Sequence, residues 1–83
     1  MRIKILSAQE KVFVGEAKEI ILPGEDGEIS VWDFHQPCLC RLKPGVIKVL
    51  PYGGDKAKEF VKFPVLSGIA KILPQEMTVL LEA

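Results

Sequence analysis

Asp33, His35, Cys38 and Cys40 bring a carboxylate, an imidazole and two thiols into one short stretch of chain. Side chains alternate across an extended segment, so Asp33 and His35 face the same way there, as do Cys38 and Cys40. An acid, a base and a nucleophile so spaced could support covalent hydrolysis, and His35, the chain's single histidine, would be the base in any such scheme. No serine or cysteine occupies a nucleophile elbow, however, and the chain is read as non-catalytic. His35, Cys38 and Cys40 are also zinc-type ligands, but a closed structural site takes four and no second knuckle completes the set. The preferred reading is a loop histidine followed by an inward-facing strand. Its thiols behave as small apolar side chains in a reducing compartment, and no metal or cofactor is expected.

Two further stretches invite chemistry. Gly24-Glu25-Asp26-Gly27 carries acid where a phosphate would have to sit and lacks the following Gly-Lys-Ser/Thr, so it is an acidic surface turn rather than a phosphate cradle. Trp32-Asp33-Phe34-His35-Gln36 sets large aromatic residues among polar ones between two strands. Core is the preferred reading for Trp32, which ends a strand; the alternative is a partner surface, where aromatics supply much of the binding energy.

The elements that must position these residues are short. Turn signals recur at Pro23-Gly24-Glu25-Asp26-Gly27, Lys43-Pro44-Gly45, Tyr52-Gly53-Gly54-Asp55, Ser67-Gly68 and Leu73-Pro74-Gln75. Between them lie β-branched or alternating runs at Ile3-Lys4-Ile5, Val12-Phe13-Val14, Ile20-Ile21-Leu22, Ile29-Ser30-Val31, Val46 to Val49, Phe60 to Phe63, Ile69 to Ile72 and Met77 to Leu81. That pattern predicts an all-β chain folded as a sandwich or barrel. No segment offers three clean turns at helical spacing; Asp55-Lys56-Ala57-Lys58 is the one short helix candidate, within a mixed-charge cluster that reaches Lys62. Lys43-Pro44-Gly45-Val46 suits a type II turn joining two antiparallel strands. Val46 to Leu50 reads as a central strand covered on both faces, and Lys4 should face water.

With 83 residues the chain is read as one domain with a single core. Eleven basic and eleven acidic side chains cancel, which removes the broad attraction that nucleic-acid binders use. No apolar run approaches the about 18 residues needed to cross a bilayer, and Met1-Arg2-Ile3-Lys4 lacks the apolar core of a signal peptide, so a cytoplasmic or equivalent setting is expected.

The order of motifs resembles the N-terminal domain of the F-type ATP synthase epsilon subunit, called delta in mitochondria. Leu6-Ser7-Ala8-Gln9-Glu10 with Val12-Phe13-Val14-Gly15-Glu16-Ala17 is similar to the family's opening stretch, and Gly27-Glu28-Ile29 to its "G-E-[LI/M]" turn. His35-Gln36-Pro37-Cys38-Leu39 resembles its "H-x-P-h-h" segment and Leu42-Lys43-Pro44-Gly45-Val46 its "L-K-P-G" turn. Leu66-Ser67-Gly68-Ile69-Ala70 resembles its "L-S-G-G-h-h" hairpin, and Met77-Thr78-Val79-Leu80 its closing strand. Ser30, Asp33 and Phe34 depart from the usual glycine, proline and small residue of the "G-E-[LI]-G-h-[LY]-P-x-H" pattern.

The resemblance implies a flattened two-sheet β-sandwich of about 8 to 10 short antiparallel strands over residues 1–83, without the C-terminal helical hairpin of longer members. It implies a non-catalytic rotor subunit of the proton-translocating complex that binds gamma and touches the polar loops of the c-ring. It would lie peripherally on the cytoplasmic side of the energy-transducing membrane, meeting the membrane only through the complex. On matching positions, Glu28 would lie at the ring-facing loop, and Ser7, His35 and Cys40 on or near the gamma-facing side. A stand-alone β-sandwich interaction module is the alternative.

Overall fold

The computed structural model describes residues 1–52 and 60–82, so the short helix candidate at 55–58 and most of its charge cluster lie outside the described residues. The chain forms eight strands: β1 (Arg2–Leu6), β2 (Lys11–Gly24), β3 (Gly27–Val31), β4 (Cys38–Leu42), β5 (Gly45–Pro51), β6 (Val61–Val65), β7 (Gly68–Ile72) and β8 (Glu76–Leu81). The all-β expectation holds, and the described residues contain no helix.

The strands follow one hydrogen-bonded path, β1-β8-β7-β4-β2-β5-β6, with β3 on β2 and a further β1–β2 pairing. β2 makes this possible. The sequence divides it at Gly15 to Lys18 into two strands, yet it runs unbroken for 14 residues. Its first part pairs with β1 (Ile3 opposite Gly15, Ile5 opposite Phe13), and its last part pairs with β3 and β5 (Ile20 opposite Val31 and Val49). A register shift between Ala17 and Glu19, of the kind that bends a strand, lies between these two parts. β2 is thus the shared strand: β1 pairs along its first part, β3 and β5 along its last, and β4 meets it at its end, Gly24 opposite Leu42.

The pairings are antiparallel except for β1 with β8, which is parallel, Ile3 opposite Met77 and Ile5 opposite Val79. A parallel partner must come from far along the chain, which local turn signals do not reveal. Lys43-Pro44-Gly45 also differs from expectation. It joins β4 to β5, which do not pair, and Gly45 has no positive φ. This is a corner between layers; Gly45 is suited to it because a Cβ there would lie 2.8 Å from Cβ of Pro23. Leu66-Ser67 likewise crosses from β6 to β7 rather than closing a hairpin. The acidic turn does close one, Gly24 opposite Gly27, with Gly27 at φ 135°.

Alternation assigns the core. In β1 Ile3 and Ile5 are buried while Arg2 and Lys4 face water. Ala70, Ile72, Met77 and Val79 join them from β7 and β8, and Ile20, Leu22, Val31, Ile47 and Val49 meet them from the other layer. β5 is flanked by β2 and β6, as expected for a central strand, but only one of its faces is covered along its length: Ile47 and Val49 are buried, while on the other face Val46 is exposed and Lys48 half-buried ahead of buried Leu50.

Candidate functional site

The segment between β3 and β4, residues 32–37, is tied down more firmly than its composition foretells. Asp33 is its anchor. Oδ1 of Asp33 lies 2.8 Å from the Met1 nitrogen, an N-terminal ammonium, and Oδ2 accepts a 3.0 Å hydrogen bond from the Tyr52 hydroxyl. Oδ1 is shielded from water and, beyond this close ion-pair contact, makes no well-directed hydrogen bond, although the carboxyl as a whole remains about one-third exposed. The ammonium also donates to the Ala17 carbonyl at 2.9 Å. The adjacent ammonium and the hydrogen bond from Tyr52 hold the Asp33 carboxyl below its usual range, and the same Tyr52–Asp33 bond pushes the phenol up. One residue on, the Phe34 amide donates to the Pro74 carbonyl at 2.6 Å, fixing the segment to the β7–β8 turn.

The aromatic side chains of this segment are displayed. Val31 is the last buried residue of β3; Trp32 is 57% exposed and Phe34 77% exposed. The core reading of Trp32 is thereby corrected: β3 stops at Val31, so Trp32 leaves the strand instead of completing its inward row. Phe34 takes φ 69°, a left-handed backbone that is uncommon for a bulky side chain. Trp32 and Tyr52, with Lys18, Glu19, Asp33 and Leu50, line a shallow depression of about 410 Å³.

The residues singled out by sequence stand apart from one another. Ser7 closes the β1–β2 turn: its Oγ accepts from the amides of Gln9 and Glu10 at 3.3 and 3.2 Å, and its amide donates to the Glu10 carbonyl at 2.9 Å. It sits at the far end of β1 from Met1 and Asp33. His35 lies in the anchored segment with Nδ1 2.8 Å from the Gln36 carbonyl, so Asp33 does not orient it and the acid–base–nucleophile arrangement is not assembled.

Cys38 is exposed at the rim of β4, opposite Ile72, while Cys40 packs partly against the core. The inward-facing expectation therefore holds for Cys40 and fails for Cys38, which lies beyond the reach of the core. Burial pushes the Cys40 thiol up, with Cys38, Asp26 and Glu25 adding to the effect. Among the described residues no three His, Cys, Asp or Glu side chains are grouped to hold a metal ion. Glu28 is exposed on β3 opposite Pro23, one residue beyond the acidic tip.

This architecture has known counterparts. All of residues 1–83 match the ATP synthase Delta/Epsilon chain β-sandwich domain. The chain belongs to that family. It is 39% identical over 80 residues to the ATP synthase epsilon chain of Herminiimonas arsenicoxydans, and 36% identical to that of Bordetella petrii. The alignments take in 96% of this chain but 55% and 54% of those relatives, so the chain spans about half their length. The fold also matches a chain from the central stalk and c-ring of the Tetrahymena thermophila mitochondrial ATP synthase (TM-score 0.78, 14% identity, 100% of this chain and 63% of that one). A chain of the Euglena gracilis mitochondrial ATP synthase matches with a TM-score of 0.81 at 17% identity over 95% of this chain and 48% of its own length. The epsilon-type β-sandwich is thus reached both by the order of motifs and by the fold.

Sequence reading missed Tyr52 and Met1 as partners of Asp33. The one signal was Asp33 itself, an acid between two aromatics where the family pattern carries proline.

Proposed function

We propose that this domain acts as a non-catalytic rotor element of a proton-translocating ATP synthase, binding the gamma subunit and contacting the polar loops of the c-ring. The observation that carries this reading is the family match over the whole chain, with the double-layer fold intact around one core. A sandwich suits the task physically: two cross-braced layers transmit torque with little deformation, and loops at their ends present contacts that can vary without disturbing the core. Glu28, exposed beside the Gly24–Gly27 hairpin, is the proposed c-ring contact. Ser7, His35 and Cys40 are proposed to lie toward gamma, and the working position is peripheral, on the cytoplasmic side of the coupling membrane.

The test is ATP-driven proton pumping by the complex assembled with the wild-type subunit or its Glu28→Lys variant. A charge reversal on an exposed strand end should change folding by less than about 0.5 kcal/mol and lower pumping per ATP hydrolysed. Full pumping efficiency with Glu28→Lys would remove Glu28 from the ring contact; identical coupling with and without the subunit would remove the rotor reading.

A further inference from the structure

We propose that the outward face of β1, β4, β7 and β8 docks an acidic amphipathic helix of a protein partner, on an apolar stripe of Ile69, Leu80 and Leu6 edged by Arg41, Lys71, Lys4 and Lys11. This goes beyond the rotor reading and does not rest on it. The strand register carries it. One row crosses five strands as Arg41, Ile69, Leu80, Leu6 and Lys11, and the next runs beside it as Leu39, Lys71, Thr78, Lys4 and Val14. Ile3, Ile5, Ala70, Ile72, Met77 and Val79 alternate with these residues and are buried, so both rows turn away from the core across β1, β7 and β8. Outward positions on a sheet with one covered face are expected to be polar. Here Leu80 is 53% exposed between half-buried Ile69 and Leu6, and Leu39 is 73% exposed in the neighbouring row.

Charge identifies what would cover the stripe. The chain as a whole is neutral, yet neither row contains an acid, and cations stand at both ends of the stripe and along one side. Acids enter only in a third row, where Arg2 stands opposite Glu76 and Glu16 and lies 3.6 Å from the Glu16 carboxylate. Among the described residues Lys4, Lys11, Arg41 and Lys71 form no ion pair. A complementary partner must bring apolar side chains for the centre and carboxylates for the rim. Four strand spacings make the stripe roughly 19 Å long. A helix rising about 1.5 Å per residue covers that in about 13 residues, with its apolar face on the stripe and acids along its flanks. A nucleic-acid backbone would meet the cations and leave the apolar centre without a partner.

The experiment is an NMR titration of the isotope-labelled chain with three probes: a synthetic acidic amphipathic peptide of about 14 residues, a scrambled peptide of the same composition, and vesicles of anionic phospholipid. The amphipathic peptide should bind saturably and shift the amides of Leu6, Ile69 and Leu80, leaving those of Trp32 and Tyr52 in place. Leu80→Ser and the pair Lys4→Glu/Lys71→Glu should each weaken it by roughly tenfold, and the pair Lys4→Gln/Lys71→Gln by less. Lys62→Glu, on exposed β6, should leave it unchanged. Melting temperatures identify the variants that remain folded, and only those are compared. No saturable binding by folded wild type overturns the proposal, as does equal binding of the scrambled peptide or an equal loss in Lys62→Glu. Binding to vesicles without binding to the peptide overturns the protein partner and gives the face to a lipid surface.

Discussion

The rings of Phe13 and Phe63 meet with centroids 5.1 Å apart and planes tilted by 48°. Phe13 stands on the first part of β2 and Phe63 on β6, so the pair clasps the β1–β2 hairpin to the strand that ends the path in the other layer. Tilted aromatic pairs contribute about 0.5–1.5 kcal/mol beyond the area they bury. Phe63→Ala should therefore destabilise the domain by roughly 2 kcal/mol, less than a fully buried ring because Phe63 is only half-buried. Denaturant unfolding of Phe13→Ala, Phe63→Ala and the double variant checks this, and strictly additive losses would show that the rings do not act as a pair.

Gly45 carries a second prediction. A Cβ at Gly45 would press on Pro23 at 2.8 Å, where the Lys43 amide donates to the Pro23 carbonyl at 2.9 Å. Gly45→Ala should cost roughly 1–3 kcal/mol by forcing β2 and the β4–β5 corner apart. Thermal unfolding at the wild-type midpoint would contradict the corner described here.

Tyr52 is the only tyrosine, so its ionisation can be followed directly by ultraviolet absorbance. Its hydrogen bond to Asp33 raises the phenol above its ordinary value of 10.0. A raised folded value means the bond's contribution is complete below the unfolded value and is lost as pH rises through the folded one. Asp33, held below its ordinary 3.8, behaves in the opposite sense: its contribution is present above the unfolded value and lost as pH falls through the folded one. The Tyr52 midpoint should lie above that of free tyrosine and fall in Asp33→Asn. Trp32 emission should hold steady through mildly acidic pH and change only once Asp33 protonates.

The two thiols should react in sequence. Cys38 is exposed, while burial raises the Cys40 thiol and thereby lowers its thiolate fraction. Stoichiometric alkylation should label Cys38 first, and Cys38→Ser should abolish the fast phase. Faster labelling of Cys40 would contradict its packing against the core.

Much of this fold was legible because it is local. The inward row of Ile3 and Ile5 with Lys4 outward follows from alternation, the Gly24–Gly27 turn from turn chemistry, and the central place of β5 from its apolar run. What was not legible depends on residues distant in sequence. Gly15 reads as an interruption, yet pairing with Ile3 carries β2 straight through it. The parallel β1–β8 contact joins opposite ends of the described chain, and the Lys43-Pro44-Gly45 turn signal cannot say whether its strands pair or part. The site divides the same way: the aromatic content of the Trp32 to Gln36 segment was visible, but the ties that set its shape run from Asp33 to Met1 and Tyr52.

The most direct measurement of the central claim is calorimetric titration of this domain into its cognate gamma subunit, with His35→Ala for comparison. A one-to-one complex that the substitution weakens is expected. A well-folded domain that releases or absorbs no binding heat across temperatures and forms no complex on gel filtration would contradict it.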